Sequence, residues 1–139
     1  MYQYIVLAVD GSENAFRAAQ EACKIAKLHE EALVDIVYVA DFEKVKNEIL
    51  HAGSTGALEL MRRQKTMKIE QLCKEEQIRY KITILRGTPG PEIVKYVNAH
   101  NVDLLVIGSR GLNSLQEMVL GSVSHKVMKR VQCPVLMVK

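Results

Sequence analysis

Apolar positions along this chain change period several times. Tyr4-Ile5-Val6-Leu7-Ala8-Val9 is a continuous apolar run, the pattern of a strand buried on both faces. Asp10-Gly11-Ser12 interrupts it. Ala15, Ala18, Ala19, Ala22, Ile25 and Ala26 then recur at helical spacing, with Ser12 placed to cap the helix. Leu33 to Ala40 reads as a second strand through Ile36, Val37 and Val39. Residues 41–56 show no clear period and contain Gly53-Ser54-Thr55-Gly56, which predicts a mobile connection. A polar helix is predicted from Ala57 to Gln77, with Leu58, Met61, Ile69 and Leu72 facing inward. Tyr80 to Leu85 alternates and predicts a third strand. Gly87-Thr88-Pro89-Gly90-Pro91 predicts a tight turn, its prolines suited to the first turn of a helix reaching His100. Leu104-Leu105-Val106-Ile107 is a fourth strand, Ser122 to Val131 a last helix, and Pro134 to Val138 a fifth strand.

Strands that alternate with helices imply right-handed crossovers, hence the α/β class: one parallel sheet with helices on both faces. Propensity alone leaves the strand order open. In a doubly wound sheet ligands bind at the carboxyl ends of the strands, which directs attention to the loops after Val9, Ala40, Leu85 and Ile107.

A chain of 139 residues has the length of a single domain, read as 1–139. With 48% hydrophobic and 25% charged residues it is of globular and not disordered composition. The net charge of +3 makes no phosphate-binding surface by itself. The densest basic run, Arg62-Arg63-Gln64-Lys65, is flanked by Glu59 and Glu70 and reads as a solvated helix face. Only 5% of residues are aromatic and Trp is absent, so stacking platforms are scarce and a nucleic-acid partner is not expected. No uncharged apolar stretch approaches the ~20 residues of a membrane span. Cys23, Cys73 and Cys133 are odd in number and far apart, which argues against a disulfide framework or a structural zinc site. The first residues run straight into an apolar strand with no basic leader, so cytoplasm is the expected location.

The loop after the fourth strand carries the chemistry. It starts Gly108-Ser109-Arg110-Gly111 and ends Gly121-Ser122-Val123-Ser124, far longer than the two to six residues usual for such loops. Glycine lets the backbone adopt positive φ and bring N–H groups close to an anion. Gly121-Ser122 opens a helix, whose N–H groups and positive dipole end favour phosphate. The hydroxyls of Ser122 and Ser124 add donors. Three glycines in one loop at the carboxyl edge favour phosphate binding over simple turn shaping. Asp10, between strand and helix, is balanced between a local turn or cap and a ligand contact. His29, His51, His100 and His125 have no metal-ligand spacing.

These residues resemble a known family. Gly108-x2-Gly111-x9-Gly121-Ser122 is similar to the nucleotide-binding signature of the universal stress proteins, G-x2-G-x9-G-(S/T). The resemblance covers nearly the whole chain: Asp10-Gly11-Ser12, Gly87-x-Pro89, Val102-Asp103-Leu104 and Cys133-Pro134-Val135-Leu136 are similar to further family landmarks, in order. It implies a five-stranded sheet ordered 3-2-1-4-5, of the adenine nucleotide alpha hydrolase type, and the family's ATP-binding branch. It implies that Gly108, Gly111, Gly121 and Ser122 surround phosphates and ribose, with Val123 beside them and Ser124 adding a hydroxyl. It places Asp10 near the nucleotide, directly or through Mg²⁺ or Mn²⁺, the backbone of Val39 at the adenine edge, and Ala8 and Ile107 in the pocket floor. It also implies a homodimer, which fits the apolar last strand at the sheet edge.

The function expected is that of an adenine-nucleotide-binding regulatory protein of the stress response, whose regulatory protein partner the sequence does not name. The competing reading is a slow ATPase or nucleotidyl-transfer enzyme. The Walker pattern and the G-x-G-x-x-G fingerprint are both absent, and the glycine loop holds no lysine. Binding with slow or no hydrolysis therefore ranks above efficient turnover. A phosphoacceptor receiver is disfavoured, because Arg86-Gly87 stands where the third strand should end in Asp.

Overall fold

The computed structural model describes residues 2–40, 55–110 and 121–139. Their elements run β1 (Tyr4–Val9), α1 (Glu13–Ala26), β2 (Leu33–Ala40), α2 (Thr55–Glu75), β3 (Arg79–Arg86), α3 (Pro89–Ala99), β4 (Leu104–Gly108), α4 (Ser122–Arg130) and β5 (Val135–Val138). The strands form one sheet ordered β3-β2-β1-β4-β5, and every neighbouring pair is parallel. The strand order implied by the resemblance is the one found.

Alternation along the central strands sorts two cores. Ile5, Leu7 and Val9 of β1 join Val34, Ile36 and Tyr38 of β2 and the alanine face of α1, with Ile69 and Cys73 of α2. Val6 and Ala8 join Val37, Val39, Leu105 and Ile107 on the other face, against Ile93 and Val97 of α3 and Val127 of α4. Helices therefore cover both faces. The small side chains of Ala15, Ala18, Ala19 and Ala22 let α1 lie close on the sheet, and all four are buried.

No predicted boundary among the described residues shifts by more than two residues. α2 begins at Thr55, so Thr55 and Gly56 are helical and not part of the connection. The rest of that expected connection, residues 41–54, lies outside the described residues, as do the side chains of Leu58 and Met61. Ile69 is buried as expected and Leu72 packs against the core. Pro89 and Pro91 sit in the first turn of α3, where a missing N–H costs no helix bond.

One buried polar cluster sits inside the α3 face. Asp35, the third residue of β2, is 0% exposed. Its carboxylate accepts from the hydroxyls of Tyr4 at 2.7 Å, Tyr96 at 2.6 Å and Thr83 at 2.7 Å. Lys81 Nζ lies 3.7 Å from it. Burial, and then the hydrogen bonds to Tyr96 and Asp35, push the Tyr4 hydroxyl well above the usual phenol range. The cluster ties β1, β2, β3 and α3 together. At the same end of the sheet, Asp103 Oδ2 accepts from the backbone N–H of Gln3 at 3.1 Å and Tyr4 at 2.9 Å, fastening the start of β1 to that of β4.

Asp35→Ala leaves three hydroxyls without their acceptor. We expect a loss of roughly 3 kcal/mol in urea unfolding. A loss below about 1 kcal/mol would contradict this role for the cluster.

Candidate functional site

The carboxyl edge is where the predicted residues gather. The β1–β2 register ends at Val9 beside Tyr38, so the next step along each strand brings Asp10 to Val39. Ala8 pairs with Ile107 of β4. Ala8, Val39 and Ile107 are nearly fully buried in one core cluster, and Val123 of α4 packs against it. Four predicted site residues thus form a single apolar surface under the edge.

Asp10 and Ser12 shape the first loop. The Ser12 N–H donates to Asp10 Oδ1 at 2.9 Å, and Ser12 Oγ accepts from the Ala15 N–H at 3.1 Å. Asp10 therefore makes the local turn, and Ser12 is the N-cap that the sequence predicts. Gly11 adopts φ +87°, a conformation that side chains disfavour.

The long loop after β4 closes on itself. The Gly121 N–H donates to the Ser109 carbonyl at 2.8 Å. Ser124 Oγ donates to the Gly108 carbonyl at 2.6 Å. These two bonds fasten the start of α4 to the end of β4, whatever path the intervening chain takes. Gly111, in that intervening stretch, lies outside the described residues. Gly121 is the N-cap of α4 and offers no side chain to its first turn, and that turn contains no acidic residue. The N–H groups of Ser122, Val123 and Ser124 and the positive end of the helix dipole therefore face the edge with no carboxylate of their own turn beside them. The Ser122 side chain is exposed, whereas Ser124 is 4% exposed with its hydroxyl proton directed to Gly108.

Two of the glycines do not use the positive φ expected of them. Gly121 has φ −60°, an ordinary value, and Gly108 is not among the positive-φ residues. Positive φ is thus not what either contributes. At Gly108 the reason is close approach. A Cβ there would lie 3.0 Å from Asn14 Cβ and 3.2 Å from the Asn14 carbonyl carbon and oxygen. Asn14 in turn donates to the Val138 carbonyl at 3.2 Å, and Arg17 Nε to the Lys139 carbonyl at 2.8 Å, so α1 also holds β5.

Sequence reading missed Lys65. Its run reads as a solvated helix face, yet its Cγ lies 3.2 Å from where a Cβ on Gly11 would stand. Its Nζ donates to the Tyr38 hydroxyl at 3.0 Å. A cation thus stands over the loop after β1. The helical period does point Lys65 toward the same side as Ile69 and Leu72, four and seven residues on. Among the described residues no group of three or more His, Cys, Asp or Glu side chains could hold a metal ion. A divalent ion at Asp10 therefore needs ligand oxygens from elsewhere, such as those of a phosphate. Among the same residues no helix is long and apolar enough to cross a membrane.

Comparisons with known proteins agree with this fold. The model of the universal stress protein family matches residues 1–139. Universal stress protein YxiE of Bacillus subtilis is 32% identical, over 100% of both chains. The solved structure of MJ0577 from Methanocaldococcus jannaschii superposes with a TM-score of 0.85 at 31% identity, covering 100% of this chain and 96% of that one. A universal stress protein from Archaeoglobus fulgidus, solved in complex with dAMP, has a TM-score of 0.75 at 22% identity, over 99% of this chain and 98% of its own, and shares the fold.

Replacing Gly108 tests the close approach. Gly108→Ala pushes its methyl against the α1 backbone, and we expect a loss of about 1–3 kcal/mol in thermal or urea unfolding. Unchanged stability would mean that α1 yields freely at Asn14.

Proposed function

The chain belongs to the universal stress protein family, and from that premise we infer that it binds an adenine nucleotide, ATP in the first instance, at the carboxyl edge of β1 and β4. The observation that carries the reading is the clamped glycine loop. Gly121 N–H on Ser109 and Ser124 Oγ on Gly108 fix the start of α4 beside the ends of β4 and β1. Phosphate oxygens then meet the N–H groups of Ser122 and Val123 and the Ser122 hydroxyl, with Gly108 bordering the same space. Ser124 acts by holding the loop ends together. Ala8, Ile107 and Val123 offer an apolar floor, and the backbone of Val39 stands at the adenine edge. The protein of this fold solved with dAMP is too distant in sequence to lend its ligand to this chain, so the ligand class rests on the loop.

Asp10 and the phosphates together suit Mg²⁺ or Mn²⁺, which would neutralise phosphate charge when bound. Lys65, over Gly11, adds a positive charge near the same loop. The Walker pattern is absent, so we place the protein among nucleotide-binding regulators of the stress response and not among efficient ATPases. The cytoplasm is the compartment that fits its free thiols.

Gly121→Val puts a branched side chain at the helix start. Calorimetry should show ATP affinity falling at least about tenfold, or about 1.4 kcal/mol, with the fold intact. Phosphate release from the unmodified protein should stay far below the median enzyme rate of about 10 s⁻¹. Equal affinity in folded Gly121→Val would remove the loop from the site. Several turnovers per second would move the protein into the enzyme class.

The same reading includes a homodimer through β5. That strand is an edge, and among the described residues it pairs only with β4. Leu136 and Val138 pack on one core and Val135 and Met137 on the other, so the strand is apolar on both faces. The carbonyls of Pro134 and Val138 accept from Leu105 of β4 and from Ser109 just after it, which leaves the N–H groups of Val135 and Met137 directed outward by the period of two. A two-fold axis pairs such an edge with itself, antiparallel. Light scattering should give twice the 15.6 kDa chain mass. Met137→Pro deletes an outward donor and should return a single chain. A wild-type mass of 15.6 kDa with ATP present would rule the dimer out.

A further inference from the structure

Two thiols outside the carboxyl edge meet in the core. Cys23 stands one turn before the end of α1, and Cys73 lies in the last turn of α2. Their sulfurs are 3.9 Å apart, although the residues are separated by 50 positions. Both are buried, at 3% and 0% exposure. The contact is one of van der Waals distance, against about 2.05 Å in a disulfide. Rotation about the side-chain bonds can close such a gap where the two helices already touch.

We propose that Cys23 and Cys73 form a two-electron redox site, in which hydrogen peroxide converts the thiol pair into an intramolecular disulfide that staples α1 to α2. The Cys23 thiolate attacks one peroxide oxygen, giving the sulfenic acid and hydroxide. The Cys73 sulfur then displaces the sulfenic oxygen, which leaves as water. Overall two thiols and one peroxide give one disulfide and two waters. Cys23 is the first nucleophile because its hydrogen bond with Cys73 lowers its thiol below the ordinary range, and Lys27 acts in the same sense; burial and Glu76 oppose them. Cys73 is pushed the other way by that hydrogen bond and by burial, and holds its proton longer.

Access follows from position. Lys27 and Glu76 form an exposed ion pair just beyond the two helix ends. Last turns of helices open more readily than helix centres, and peroxide is small. The third thiol, Cys133, is a weaker candidate: burial pushes it up, and it sits on the connection before β5. The consequence is mechanical. α1 follows the Asp10 loop directly and carries Asn14 against Gly108, while α2 carries Lys65 against Gly11. A bond between the two helices ties both walls of the Gly11 contact to one covalent frame. None of this depends on what the edge binds.

The test treats the folded protein, without nucleotide, with hydrogen peroxide, blocks remaining thiols by alkylation, and maps the tryptic peptides. The expected product joins peptide 18–24 to peptide 69–74, with an intact mass lower by two hydrogens and peptide 131–139 alkylated. Dithiothreitol restores the thiols. The linked form should unfold at least about 5 °C higher than the reduced one, because the bond closes a long loop. In Cys73→Ser the link is lost and Cys23 is trapped by dimedone as its sulfenic acid. The proposal is overturned if both thiols stay alkylatable after later unfolding, if only Cys133 becomes linked, or if the linked form unfolds no higher than the reduced one.

Discussion

The backbone of α1 lies against Gly108 so closely that a side chain there would press on it, with Asn14 carbonyl atoms 3.2 Å from the position of an absent Cβ. The geometry of the carboxyl edge follows from this approach. It lets α1 sit over β4 and sends Asn14 and Arg17 to the carbonyls of Val138 and Lys139. Gly108 is also where Ser124 Oγ anchors the start of α4. The close contact at Gly108 and the hydrogen bonds around it thus hold two helices, a strand end and Lys139 in a single arrangement. The cost of burying polar backbone there is met by hydrogen bonds already made within the chain.

At the opposite end of the sheet the organisation rests on carboxylates. Asp35 gathers three hydroxyls, and Asp103 takes the N–H groups of Gln3 and Tyr4 at the entry to β1. These groups lie where the strands begin, away from the edge at which ligands bind in such sheets. The buried polar groups of this end position strands. The edge where the strands finish holds the glycine loop, the Asp10 turn and Lys65. The carboxylate ties and the proposed binding site thereby fall at opposite ends of the same sheet.

Much of the fold could be read in the chain because apolar period and turn residues agree locally. β1 is a continuous apolar run and is found at the predicted residues, and Ser12 caps α1 as its position before the alanine stripe indicates. The order of strands could not be read from pattern, since parallel partners are remote in sequence; it came from the family resemblance. The glycines of the loop stand out in the sequence, but neither Gly108 nor Gly121 uses positive φ. Close approach depends on Asn14, more than ninety positions away, and no local pattern encodes it. Lys65 and Asp35 were missed for the same reason. A charge run and a lone Asp in an apolar strand acquire their partners, Tyr38 and the Tyr4–Thr83–Tyr96 set, only once the sheet has assembled.

The account centres on one claim: the ends of β1 and β4 and the start of α4 form the nucleotide site. Titrating ATP into isotope-labelled protein and following the amide resonances tests it residue by residue. The account predicts saturable shifts at Gly108, Gly121, Ser122, Val123 and Asp10, with the amides of Asn98, Asn101 and Gln132 at the far end unmoved. Shifts concentrated at the far end, or none anywhere at millimolar ATP, would contradict it.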